Sequence, residues 1–195
     1  MKLYGFWSSN PQKVRLALEE LEVPYEYVNG DLRKREQRTP EFTALNPRQK
    51  VAVLVDGDAV LFDSGAALLW LAETSGKLLP TSRPQRARAL SLLCIEGAAF
   101  QDSAGQYFYN RVVAPFYSMK ETPEDLAAAR PKMEKLLDVL EGQLTGDYLA
   151  GEFGIVDCAY APWFPVLDIG ERPKLQAWFE RVKARPAWSR CAWTY

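Results

Sequence analysis

The sequence predicts an α/β half followed by an all-helical half, and three observations carry that prediction. The chain opens as a βαβ unit, a hairpin and a helix then complete a mixed four-stranded sheet (βαβ-ββα), and beyond Pro84 the strand signals vanish. Leu3 to Phe6 reads as a short strand, broken by Trp7-Ser8-Ser9-Asn10-Pro11. Val14, Ala17, Leu18 and Leu21 then recur at helical spacing until Pro24. Tyr25-Glu26-Tyr27-Val28 is rich in β-formers and can return parallel to the first strand through a right-handed crossover. A polar, basic stretch from Asp31 to Arg38 follows. Val51 to Val55 and Ala59 to Phe62 are apolar runs joined by Asp56-Gly57-Asp58, a hairpin signal. Asp63-Ser64 opens a helix that ends near Gly76, with Pro80 beyond. After the linker Thr81-Ser82-Arg83-Pro84, helical spacing dominates from Gln85 to about Arg111, Glu124 to Leu144, Val156 to Val166 and Lys174 to Ala184. Pro131 is expected to delay the regular start of the second of these helices. The division predicted is residues 1–79 and 84–195.

Composition narrows the chemistry. Of 195 residues, 48% are apolar and 25% charged, enough for a proper core, and the net charge of −1 brings the chain to neither nucleic acid nor an anionic membrane by electrostatics alone. There is no histidine, which removes Ser-His-Asp and Cys-His arrangements and every imidazole base. The three cysteines are far apart and in no C-x-x-C pattern, so neither a disulfide framework nor a zinc knuckle is indicated. Cys94 and Cys158 read as inert core thiols and Cys191 as exposed near the end. No leader pattern, run of 18 apolar residues or glycine-rich nucleotide motif is present. A cytoplasmic protein without metal, nucleic-acid or membrane partners is expected.

Four stretches, in order, resemble one known family. They are Leu3-Tyr4-Gly5-Phe6-Trp7-Ser8-Ser9-Asn10-Pro11-Gln12-Lys13-Val14-Arg15, then Leu45-Asn46-Pro47-Arg48-Gln49-Lys50-Val51-Ala52-Val53-Leu54, then Leu61-Phe62-Asp63-Ser64, and finally Tyr148-Leu149-Ala150-Gly151 with Ile155-Val156-Asp157. Together they are similar to the cytosolic glutathione transferases. The resemblance implies a thioredoxin-like N-terminal domain, an all-α C-terminal domain, glutathione as cosubstrate, a small hydrophobic electrophile as its partner, and a homodimer that pairs the N-terminal domain of one subunit with the C-terminal domain of the other.

The residues themselves support such chemistry. Ser8 lies where a strand meets a helix, so its hydroxyl and the helix N–H groups can face an anion. A thiolate is such an anion. Lowering a thiol pKa of about 8.5 by about 2 units takes roughly 2.7 kcal/mol of preferential stabilisation. One hydroxyl hydrogen bond to a charge, worth about 1.5–3 kcal/mol, together with a helix terminus can supply it. The resemblance implies that Ser8 is this donor, with Ser9 and Asn10 as neighbours that could substitute; the plainer reading of Ser8 to Pro11 is a helix cap. It also implies that Asp63 takes the glutathione ammonium, that Ser64 takes the γ-glutamyl carboxylate, and that Lys50 and Arg38, assisted by Gln37, take the glycine carboxylate. The alternative for Arg33-Lys34-Arg35 and Arg38 is a solvated basic face. Phe6, Trp7, Tyr107, Arg111 and Trp163, with Phe108, Tyr117 and Phe164, could line an apolar acceptor pocket between the halves, although aromatics at this spacing also build cores. Tyr107 and Arg111, four apart, are the pair suited to orient a polar substrate group.

Two positions depart from the family pattern. The proline that follows Val51 in the family, in a cis peptide that lets Val51 pair with the glutathione backbone, is here Ala52. A cis bond to a non-proline residue costs about 2.5–4 kcal/mol against about 0.5–1 kcal/mol for proline, so a trans peptide and an altered groove are favoured. Gly154 stands where the family has Ser or Thr three residues before Asp157, a change worth only a few tenths of a kcal/mol at an N-cap. Besides conjugation, the readings left open are a glutathione-dependent isomerase, lyase or dehalogenase, and a binding module with weak catalysis.

Overall fold

The computed structural model describes residues 1–6, 8–31 and 34–191. Its sheet has the order β2-β1-β3-β4, built from β1 (Lys2–Gly5), β2 (Glu26–Asn29), β3 (Val53–Asp56) and β4 (Ala59–Leu61). β1 runs parallel to β2 with Leu3 opposite Tyr27, antiparallel to β3 with Leu3 opposite Leu54, and β3 pairs antiparallel with β4. The crossover is α1 (Ser9–Leu21), and α3 (Ser64–Ser75) packs beside it. Leu3, Val14, Leu18, Leu54 and Leu68, all shut off from water, form the core between sheet and helices.

One helix of this half escaped the sequence reading. α2 (Pro40–Leu45) starts with Pro40 in its first turn, and the Thr39 hydroxyl oxygen accepts the Phe42 N–H at 3.2 Å. The Thr39-Pro40-Glu41 run was the available signal, a cap followed by proline and an acid in the first turn.

The second half contains α4 (Arg83–Ile95), α5 (Gln101–Phe108), α6 (Ala114–Tyr117), α7 (Pro123–Gln143), α8 (Ile155–Tyr160), α9 (Pro173–Lys183) and α10 (Pro186–Arg190). Two π-turns, Glu96–Phe100 and Tyr109–Val113, interrupt the run from α4 to α6, and a 3₁₀ turn, Ala161–Val166, extends α8. Pro131 sits inside α7 and does not delay its start. It and Ala127, whose carbonyl would have bonded a residue there, are both exposed, so water can take the place of the missing N–H.

α1 is the shared wall of the two halves, lying against α3 on one side and α8 on the other. At its far end Arg185 grips Glu20 with two bonds of 2.6 and 2.8 Å, and Arg15 donates to the Cys191 carbonyl at 2.7 Å. That grip covers Cys191, which is buried, and burial pushes its thiol up to about 12. Cys94 is the exposed one, because α4 turns Leu92 and Leu93 to the core and leaves Cys94 outside. Both placements reverse the sequence expectation; Cys158 is buried as expected.

Candidate functional site

Gly5 determines how closely α1 approaches the end of β1. A Cβ there would lie 2.5 Å from the Tyr27 hydroxyl and 2.8 Å from Pro11 Cβ, so only glycine lets the first turn of α1 pack against the strand. The Phe6 carbonyl accepts from Ser8 N–H at 2.7 Å and from the Tyr27 hydroxyl at 3.2 Å, fixing the turn between them. Ser8 is therefore delivered as the N-cap of α1, in extended backbone, half-buried, with its side chain making no capping bond. The helix-cap reading of the Ser8 hydroxyl is not what the structure shows. Ser9, by contrast, is buried and donates to the Pro162 carbonyl at 3.3 Å.

Asp63 and Ser64 open α3, as the sequence indicates, but the cap is Asp63. Its Oδ1 accepts from Gly65 N–H at 2.9 Å and Ala66 N–H at 3.2 Å, while Ser64 is the first helical residue and is buried. The carboxylate is exposed and near enough to α1 to act on Lys13: burial pushes the Lys13 ammonium pKa down, and Glu96 first, then Asp63, oppose it.

The Val51–Ala52 peptide is cis, which corrects the expectation of a trans bond. The local amide preference is overruled by the loop around it, where buried Asn46 donates to the Lys50 carbonyl at 2.6 Å and accepts from Arg48 N–H at 2.9 Å. Lys50 and Arg38 are exposed, Arg38 closing a 3₁₀ turn (Glu36–Arg38). Val51 and Gln37 meet in a cavity of about 330 Å³ under α2, lined also by Tyr4, Val28, Phe42 and Leu45. Ser8, Lys50, Asp63 and Ser64 lie outside that lining. Among the described residues, the Oε1 atoms of Gln37 and of Gln12, in the first turn of α1, are buried without a partner.

The aromatic residues sort into two groups. Phe6 stacks on Tyr117 of α6 with ring centres 6.5 Å apart, and Phe116 and Met119 beside it are more than half exposed. Phe108 meets Trp163 edge-on at 6.4 Å. Trp163 is only 5% exposed and Tyr107 3%, so both are walls rather than open surface. Tyr107 is turned toward α7, and burial, then Glu134, raises its hydroxyl pKa. Arg111 does meet Tyr107, 5.2 Å above the ring, yet its Nη1 donates to the Val166 carbonyl at 2.7 Å. Trp7 and Arg33 lie outside the described residues.

A polar cluster that the sequence did not single out joins the halves beneath this site. Lys13, fully buried, pairs with buried Glu96 at 2.6 Å, and Asn10 Oδ1 accepts from the same ammonium at 2.7 Å. The i,i+3 spacing of Asn10 and Lys13 was readable. Glu96, 83 residues away on a π-turn, offered no signal.

Comparison with known proteins gives matches over both halves. The family model described as glutathione S-transferase, N-terminal domain, matches residues 1–73, and that described as glutathione S-transferase, C-terminal domain, matches 123–181. Glutathione S-transferase F10 of Arabidopsis thaliana is 30% identical, over 100% of this chain and 97% of that one. Disulfide-bond oxidoreductase YfcG of Escherichia coli (strain K12) is 32% identical, over 95% and 91%. A solved glutathione transferase family member from Pseudomonas fluorescens pf-5 with two glutathione bound superposes with a TM-score of 0.86 at 28% identity, covering 97% of this chain and 91% of that one.

Proposed function

The chain belongs to the glutathione S-transferase family, and we propose that it is a serine-type glutathione transferase in which residues 1–79 hold glutathione and residues 84–195 supply the acceptor side. Ser8 donates its hydroxyl to the glutathione sulfur and stabilises the thiolate, which attacks an electrophilic carbon on a small apolar substrate and displaces its leaving group. The observation that carries this reading is the division of labour between adjacent serines: Ser9 is spent on Pro162, while the half-buried Ser8 hydroxyl caps nothing. Asp63 receives the ammonium, Ser64 and the α3 N–H groups receive the γ-glutamyl carboxylate, and Lys50 and Arg38, with Gln37, receive the glycine carboxylate. Asn10 and Val51 complete the cosubstrate side. Phe6, Tyr117 and Phe108, with Trp163 behind, form the apolar wall. No imidazole is needed, because the nucleophile arrives with the cosubstrate. A cytoplasmic homodimer is part of the proposal, its dimeric part supported by exposed apolar side chains in both halves, Phe62 before α3 and Leu90 on α4. Calorimetric titration with glutathione tests the reading. Saturable binding that weakens on Asp63→Ala supports it, and absence of binding at millimolar glutathione defeats it.

A second reading keeps the thiolate and changes the acceptor to a disulfide. The 32% identical relative named as a disulfide-bond oxidoreductase and the structural neighbour holding two glutathione favour it. The thiolate would attack one sulfur, forming a mixed disulfide and releasing the other sulfur as a thiolate. Parallel assays with an aryl halide and a small organic disulfide separate the two by which substrate gives the higher kcat/KM.

A further inference from the structure

Four side chains from both halves close on one buried point beneath the first turn of α1. Lys13 Nζ donates to Glu96 Oε1 at 2.6 Å and to Asn10 Oδ1 at 2.7 Å, and lies 4.9 Å from the centre of the Trp163 ring. The same Glu96 oxygen accepts the Trp163 indole N–H at 2.8 Å. Lys13 and Glu96 are 0% and 2% exposed. Ions so far from water persist only when their hydrogen bonds are made, which fixes the ammonium in place. Ser9, donating to Pro162, ties the same turn to the segment that carries Trp163.

Donor and acceptor counting then sets the orientation of Asn10. An ammonium has three donors and no acceptor, so the Asn10 amide must turn its oxygen toward Lys13. A flipped amide would set NH₂ against NH₃⁺. The Asn10 NH₂ is therefore directed away from Lys13, and among the described residues it donates to nothing, on a side chain that is only half-buried. We propose that Lys13 is a positioning residue: held by Glu96 and Trp163, it locks the Asn10 amide so that Nδ2–H serves, with the Ser8 hydroxyl, as a second donor to the glutathione thiolate. Glu96 balances the Lys13 charge, so the sulfur meets an oriented dipole whose direction is set when the chain folds, with no reorganisation needed on binding. This inference rests on the thiolate reading above.

The test is the pKa of bound glutathione, read from the ultraviolet absorbance of the thiolate during a pH titration of the intact protein. Asn10→Ala raises that pKa by about one to two units, the size of one lost hydrogen bond to a charge. Asn10→Asp keeps the partner of Lys13 but has no donor, and raises it at least as far. Lys13→Met with Glu96→Gln retains an acceptor for Trp163, releases the amide and gives the Asn10→Ala shift, while Asn10→Ala added to that pair gives no further rise. Lys13→Arg, which can still donate to Asn10, restores a value near that of the unaltered protein. Should the Lys13 and Glu96 variants not fold, the two Asn10 variants decide alone. An unchanged pKa in both Asn10 variants, or shifts that add in the triple variant, overturns the inference while leaving Ser8 in its role. Absence of any thiolate absorbance in the unaltered protein overturns the thiolate reading and this inference with it.

Discussion

Ser9 donates its hydroxyl to the carbonyl of Pro162 across 3.3 Å, and this bond engages one of two neighbouring serines while the other makes no capping bond. Ser9 joins α1 to the 3₁₀ turn after α8. Ser8, one residue earlier, is half-buried and its hydroxyl makes no capping bond. Ser9→Ala is expected to lower stability by about 1 kcal/mol, the ordinary value of a buried hydrogen bond, and to leave the pH profile of conjugation in place. Urea unfolding and a kcat/KM profile against pH check both parts.

Asp63 combines a cap with a charge, and the two can be separated. Asn keeps an oxygen for the Gly65 and Ala66 N–H groups, so Asp63→Asn is expected to unfold within a few tenths of a kcal/mol of the unaltered protein. Glutathione binding falls about 10- to 100-fold through loss of the charge-assisted bond to the ammonium. Calorimetry and thermal unfolding on the same sample distinguish this from a folding defect.

Gly154 looks like a missed cap, and the structure gives it a steric reason. A Cβ there would sit 2.5 Å from the Leu78 carbonyl oxygen, which itself accepts the Ile155 N–H at 2.8 Å. The Leu78 carbonyl has taken part of the capping role. Gly154→Ser is expected to destabilise by about 1–3 kcal/mol rather than to gain the few tenths that capping preference alone would give. Denaturant midpoints decide the sign.

Asp157 supplies a pH dependence. Its carboxylate is fully buried and accepts from Gly154 N–H, Leu149 N–H and the Trp178 indole, yet burial outweighs these bonds and raises its pKa from 3.8 to about 6. The unfolded chain loses this proton first, so between those two values the native state holds more protons and stability falls as pH rises. The contribution is full below the unfolded pKa and is lost through about 6, a change of about 3 kcal/mol. Across that window the difference in unfolding free energy between the unaltered protein and Asp157→Asn should fall as pH rises, whatever slope the remaining carboxylates give both proteins.

Much of this molecule was legible because local signals and global pairing agree. Alternation in Leu3 to Phe6, the Asp56-Gly57-Asp58 turn and the Asp63 cap each point to the element that forms. Ser8, Asp63 and Ser64 are legible as helix-start residues because a helix start is a local feature. What escaped depends on distance in sequence. Glu96 reaches Lys13 from a π-turn that no residue pattern announces, and Cys191 is buried by Arg15 from the opposite end of the chain. Tyr107 and Arg111 meet as their spacing requires, but the Arg111 bond to the Val166 carbonyl, 55 residues away, is not readable from spacing. The cis Val51–Ala52 peptide is not legible locally, because an amide's intrinsic preference says nothing about the loop that Asn46 holds.

The central claim is that the Ser8 hydroxyl stabilises the glutathione thiolate, and the pKa of the bound thiol measures it directly. In the unaltered protein the bound thiol is expected about two units below the free value of about 8.5, Ser8→Ala is expected to raise it by about one unit, and Ser9→Ala to leave it unchanged. A Ser8→Ala protein that binds glutathione with the same lowered thiol pKa would contradict it.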